Sequence, residues 1–395
     1  MSSKKGEEEP IPELLRKLQD PDKKVRKQAI EALEKSGKRL QEDCRVPAIR
    51  SLLDACADND LFGFACTALY WLGRDLDIVG AIPRSQWPDV LKQVLDLAAM
   101  GHFLYHQWHS WIKATDNWSA VEYASLLPAF SALWSTDDGL AIILEMTRSP
   151  ALKKGAVEAL GTVKKDVQEA QNKAIVDRLI ELIGDNDVSA AAAKILALRA
   201  DAIPPDLRGM AVDKLMEQSG RALAELGGRV IRERDIDDAI TAGREAAHNL
   251  RRLGCTIPPD RRHAVIDRLL ALYRSTVELK PWEEDDEHIY TQVWNEFEPS
   301  ALYGLSDLIP GDQLNNVVGT LLGFSEEENE DLRIVATIDL GDLLNHQKVS
   351  GEKVDAVMAM LKRQIARYDP YSKAGYYASN ALQLYERMTL KKKHS

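Results

Sequence analysis

The chain has 395 residues, 45% hydrophobic and 29% charged, with 62 acidic against 51 basic side chains and a formal charge of -11. That balance belongs to a folded chain rather than a disordered one. A surface that is negative on average repels phosphate backbones, so general nucleic-acid binding is not expected.

Residues 1–9 are expected as a disordered tail, and structure begins in "PIPELLRKLQDPDKKVRKQAIEALEKSGK". Leu14, Leu15 and Leu18 share one helical stripe. Asp20-Pro21-Asp22 breaks the helix, and Val25, Ala29, Ala32 and Leu33 form a second stripe ended by Gly37. Asp22 suits the N-cap position, because its carboxylate can accept from free amides of the next turn. The result is an antiparallel helix pair with a very short turn.

The same grammar returns along the chain. Asp58-Asn59-Asp60 and Asp185-Asn186-Asp187 each separate two apolar-periodic segments, and Ser149-Pro150 separates another two. The second half repeats a different phrase: "IPPDLRGMAVDKLM" from Ile203, "IPPDRRHAVIDRLL" from Ile257, "IPGDQLNNVVGTLL" from Ile309 and "VSGEKVDAVMAML" from Val349. Proline or serine followed by an acidic residue is a helix start, matched to the positive end of the helix dipole. Two-helix units recurring every ~40 residues, without strand-like alternation, predict an all-α chain. The expected architecture is an irregular α-solenoid of stacked antiparallel helix pairs, about eight or nine repeats, because each pair has an apolar face it cannot bury alone.

Leu14, Leu18, Asp20, Pro21, Val25, Arg26, Ala29, Leu33 and Gly37, echoed around Leu179 to Leu196, resemble a HEAT repeat, including the shorter kind of phycobilisome-lyase-like proteins. The resemblance covers most of residues 10–390: regular repeats over 10–70, a divergent tryptophan-rich stretch over 71–134, and further repeats with edge insertions over 135–390. It implies a curved helical stack, most often a scaffold or adaptor, and fold alone does not fix function. Residues 391–395 are expected as a basic tail.

"GHFLYHQWHSWIK" from Gly101 to Lys113 carries three histidines. With His102 at zero on an ideal helix, His106 falls about 40° away, His109 about 20° to the other side and Lys113 about 20° away, opposite Leu104, Trp108, Trp111 and Ile112. Histidines four apart can chelate zinc. Lys113 on the same stripe and the absence of a His-Glu-x-x-His motif favour a solvated or partner-facing stripe instead. No His-Glu dipeptide occurs anywhere, which removes the iron-dependent hydroxylases built on such repeats. Six of the eight tryptophans lie in the divergent stretch: Trp71, Trp87, Trp108, Trp111, Trp118 and Trp134. Core packing is the first expectation for them. The alternative is a hot-spot patch at Tyr105 and Trp118, rimmed by His102, His106 and His109 and sensitive to pH between about 6 and 7.

Two acidic runs, Glu283-Glu284-Asp285-Asp286 and Glu326-Glu327-Glu328, are expected in inter-helix turns that line up on one edge. Solvation and N-capping are the first expectation. An electrostatic dock for a basic segment of another protein is the second. The Asp-x-Asp turns lack the oxygen count of a calcium loop.

Cys44, Cys56, Cys66 and Cys255 contain no Cys-x-x-Cys pair and are expected as buried, reduced thiols. "MSSKKGEEEP" has no apolar core for a signal peptide and no stretch reaches membrane-spanning length, so the expected location is the cytoplasm, away from any membrane. No catalytic residue, metal or cofactor is expected, and the partner is another protein. Two rival readings stand beside this one. A ligand-handling, lyase-like protein would hold a tetrapyrrole or similar molecule in the tryptophan-rich segment. A nucleic-acid binder or DNA glycosylase would need a basic surface, for which Arg229, Arg232, Arg234, Arg251, Arg252, Arg261 and Arg262 are the candidates.

Overall fold

The structure, a computed structural model, describes residues 9–36, 40–58, 60–75, 78–97, 130–227, 233–278, 302, 305–346, 348–368 and 373–394. The first helices form where the turn chemistry places them. Between α1 (Ile11–Lys17) and α2 (Lys23–Ser36), the Asp20 carboxylate accepts from the Asp22 N–H and the Asp22 carboxylate from the Lys24 N–H, each at 2.8 Å. Between α3 (Glu42–Ala55) and α4 (Phe62–Asp75), Asp58 accepts from the Asp60 N–H at 3.0 Å. After α5 (Asp137–Met146), α6 (Lys153–Thr162) and α7 (Glu169–Leu182), the turn into α8 (Ser189–Leu198) repeats the device, Asp185 accepting from the Asp187 N–H at 3.0 Å. An aspartate holding the amide two residues on is what turns the chain here. Arg26 joins neighbouring turns, reaching the Asp20 carbonyl and the Asp58 carboxylate, both at 2.7 Å.

The proline-led phrase has its own geometry. Ile203 and Ile257 are buried, Pro205–Leu207 and Pro259–Arg261 form single 3-10 turns, and α9 (Arg208–Leu226) and α11 (Arg262–Glu278) follow; α10 (Glu233–Leu253) lies between them. The Arg208 Nε–H turns back to the Ile203 carbonyl and the Arg262 Nε–H to the Ile257 carbonyl, both at 3.4 Å. Arg45 does the same to Leu40 at 3.3 Å. So does Trp87, whose indole N–H donates to the Ile82 carbonyl at 2.8 Å, after a 3-10 turn at Arg84–Gln86 and ahead of helical backbone over 87–97. "IPRSQW" from Ile82 is therefore another copy of the repeated phrase, inside the stretch the sequence marks as divergent.

The chain falls into two compact units, residues 1–178 and 179–395. Within the first, α1 packs on α2 and α3, and α2 and α3 each pack on α4; α5 packs on α6. Within the second, α8 and α9 both pack on α10, and α9 and α10 on α11. Later, α12 (Leu314–Glu326) packs on α13 (Glu330–Asn345), and α14 (Glu352–Arg367) and α13 on α15 (Lys373–His394). First helices thus stack on first helices and second on second, the solenoid arrangement expected of pairs that bury each other's faces. Among the described residues the backbone is helical or turn, with no strand. The protein is all-α.

The cores are mainly aliphatic, with Trp87, Phe130 and Trp134 buried among them. In the first unit Leu14, Ile30, Leu33, Ile49, Leu52, Leu53, Leu69 and Leu72 are at most 2% exposed. Each such side chain contributes about 1.5–3 kcal/mol on burial, which no isolated pair would collect. Cys44, Cys56 and Cys66 are buried as expected, whereas Cys255 is exposed, because it lies past the end of α10 in a 3-10 turn. The backbone of α15 stays helical through 391–394, where the sequence suggested a separate tail.

Candidate functional site

In the first unit one aromatic face is turned outward. The inward stripe of α4, with Ala65, Cys66, Ala68, Leu69 and Leu72, is wholly buried, and Phe64 and Trp71 lie on its flank at 36% and 40% exposure. Seven residues apart, they lie two turns along the same face. The Trp71 ring stands edge-on to Tyr70 at 5.5 Å, and the Lys27 ammonium of α2 sits 3.8 Å from the Phe64 ring centre. Such a surface offers ring faces and a cation to a partner. Phe64 was not singled out in the sequence, because its exposure follows from which side of α4 faces α2 and α3.

The tryptophans divide. Trp87 and Trp134 are buried and satisfied, Trp87 on Ile82 and Trp134 on the Thr162 hydroxyl at 2.9 Å. They are core. Trp108, Trp111 and Trp118 lie outside the described residues, as do Tyr105, the histidines His102, His106 and His109, and Lys113.

Of the acidic candidates, Glu283, Glu284, Asp285 and Asp286 lie outside the described residues. Glu326, Glu327 and Glu328 are exposed at the end of α12 and in the turn after it. Two of the three carboxylates already face a cation. Glu326 pairs with Arg363, and Glu327 lies 3.9 Å from Arg274. The turn itself is pinned by the buried Arg333, which donates to the Glu327 carbonyl at 2.7 Å, to the Glu328 carbonyl and to the Tyr368 hydroxyl at 2.7 Å.

The second unit carries a cationic face that joins two of the sequence's basic candidates, Arg251 and Arg252, to residues the sequence did not single out. Lys194 on α8 and Arg251 and Arg252 on α10 lie around His248, whose Nδ1 is 3.3 Å from the Arg251 guanidinium, with Arg244 one turn earlier on α10. A guanidinium only donates, so Nδ1 accepts and the imidazole is neutral there. Burial, followed by Arg252, Arg251 and Lys194, pushes the His248 pKa down to about 4. Two of the other candidate arginines are otherwise engaged: Arg261 pairs with Asp213 at 2.8 Å, and Arg262 closes the turn onto Ile257. Arg229, Arg232 and the side chain of Arg234 lie outside what is described.

A polar recess of about 590 Å³ opens in the first unit beside Arg84, Asp137, Asp138, Lys164, Asp166 and Gln171. Two of its carboxylates already have partners within it, Asp138 held by Arg84 at 2.8 Å and Asp137 by Gln171 at 2.6 Å. Among the described residues, no three His, Cys, Asp or Glu side chains come together as a metal site, and no helix is long and apolar enough to cross a membrane.

Fold and surface together define an all-α protein of the helical-repeat solenoid class. No family model matches the chain and no curated protein matches it. Among solved structures it is similar to an engineered protein, at 17% identity and a TM-score of 0.33, covering 95% of this chain and 98% of that one. It is also similar to Kap121p, at 13% identity and 0.41, covering 96% of this chain and 43% of Kap121p. A third likeness is to a chain from a structure concerned with a phosphorylation switch in the interaction between cadherin and beta-catenin, at 14% and 0.36, covering 95% and 86%. The fold rests on the packing above rather than on these likenesses.

Proposed function

We propose that the chain is a non-catalytic, HEAT-like scaffold or adaptor of the cytoplasm that binds another protein. The observation that carries this reading is the outward pair Phe64 and Trp71. Large rings held in register beside the fully buried stripe of their helix are costly to leave in water and are the side chains that anchor protein interfaces. The stripe His102, His106, His109 and Lys113, with Tyr105 and Trp118, is the second proposed contact. The acidic runs at 283–286 and 326–328 are the third, for a basic segment of the partner.

Affinity capture from native lysate at low salt, with the wild-type chain beside a Phe64→Ala/Trp71→Ala variant of equal melting temperature, tests the reading. A protein retained by the wild type and lost from the variant supports it; no partner on either chain overturns it. Replacing His102, His106 and His109 by glutamine tests the stripe separately. Unchanged partner affinity between pH 6 and 8 removes it.

A further inference from the structure

The outer face shared by α8 and the C-terminal half of α10 is rich in cations. Lys194 and Arg252 are exposed, and Arg244, Arg251 and His248 are half-buried beside them. Glu245 is the one carboxylate among the described side chains of these two helices, and Asp201 is exposed in the 3-10 turn that follows α8 and packs on α10. Among the described side chains, four cations face those two acids in a chain whose formal charge is -11. Arg251 and Arg252 occupy the last turn of α10, where cations also offset the helix dipole. That role does not extend to Lys194, a full turn from the end of α8, nor to Arg244 in the middle of α10.

An apolar side chain lies among these charges. Leu198 is one turn beyond Lys194 on the same side of α8 and is 40% exposed, while Ala192, Ala193, Ile195, Leu196 and Ala197 are buried. The face therefore offers positive charge with an apolar spot in its midst, on two helices packed side by side. Carboxylates seated there exchange water for charge-assisted contacts, and a neighbouring apolar group covers the leucine.

We propose that this α8–α10 face is the docking site for an acidic segment of a partner protein, its carboxylates on Lys194, Arg251 and Arg252 and one apolar side chain on Leu198. A protein segment is favoured over a nucleic acid, because a long polyanion extends past the patch onto a surface that is negative on average. The inference deepens the protein-binding reading by giving a partner its chemistry, and it uses a surface separate from Phe64 and Trp71.

The test uses the full chain and a fluorescein-labelled peptide of about ten residues, rich in glutamate with one central leucine. Anisotropy at low salt is expected to show binding that weakens steeply as salt rises. Lys194→Glu with Arg252→Glu, both at exposed positions, is expected to lower affinity at least tenfold in a chain that keeps its helical circular dichroism and cooperative melting. Leu198→Ser is expected to lower it about threefold, and the His248 ring resonances are expected to move on peptide addition, as negative charge arrives beside them. Unaltered affinity in the charge-reversed chain overturns the proposal. So does a single-stranded oligonucleotide of the same charge that binds as tightly as the peptide. The Phe64→Ala/Trp71→Ala variant is expected to keep full peptide affinity, so failure of the α4 reading and failure of this one are told apart.

Discussion

Trp87 donates its indole N–H to the Ile82 carbonyl at 2.8 Å, across the same five-residue span that Arg208 bridges to Ile203 and Arg262 to Ile257. Two chemically unlike side chains do one job, which is to close the turn before a first helix. Trp87 is 2% exposed, so its loss leaves a carbonyl unpaired in a dry place. Trp87→Phe is expected to cost about 1–3 kcal/mol, read as a lower melting temperature by circular dichroism. A variant that melts with the wild type would show the bond to be dispensable.

Helix crossings set a second expectation. A Cβ on Gly139 would stand 2.1 Å from the Leu133 carbonyl oxygen, and one on Gly155 would stand 2.4 Å from the Leu95 carbonyl oxygen. Both obstacles are backbone, which cannot swing aside. Gly139→Ala and Gly155→Ala are each expected to destabilise the chain by about 1–3 kcal/mol. Gly323, inside α12 and exposed, has nothing within 4 Å of the same position. There, alanine is expected to stabilise by about 0.5–1 kcal/mol through helix propensity. Equal melting temperatures for the three variants would contradict the packing described.

His248 makes stability depend on pH. Its folded pKa of about 4 lies below the ordinary 6.5, so between those values the unfolded chain binds a proton that the folded chain refuses. Stability therefore falls as the pH drops from about 6.5 to about 4 and is unaffected by this group above and below that window. Solvent screening at a half-buried site holds the effect to no more than about 2 kcal/mol. His248→Gln is expected to flatten that part of the curve. At lower pH, Asp58 adds its own loss: the Asp60 amide and Arg26 hold its carboxyl below the usual range, so its contribution disappears as it protonates.

Thiol chemistry gives a count. Cys44, Cys56 and Cys66 are buried, and burial pushes the Cys44 thiol up, away from the reactive thiolate. Cys255 is exposed. A maleimide is expected to label one thiol per folded chain, and none in Cys255→Ser until denaturant is added. Rapid labelling of two or more would mean that the core around Cys56 and Cys66 opens.

What the residues alone determined is local. Asp20, Asp58 and Asp185 marked their turns, because an aspartate and the amide two positions on find each other without help from the rest of the fold. The proline-led phrases marked helix starts at Ile203 and Ile257 for the same reason, and periodicity showed which helices must pair. The copy at Ile82 escaped because Ser85 stands where the other copies carry Asp206, Asp260, Asp312 or Glu352, and a pattern of letters does not carry the shared direction of the Trp87 and arginine N–H groups. Packing decided the rest. Trp71 faces out while Trp87 and Trp134 face in, and Lys194 meets His248 across 54 residues of chain, since 248 minus 194 is 54. Which face of a helix is covered depends on neighbours distant in sequence, and the charge on that face is the sum of side chains that only stacking brings together.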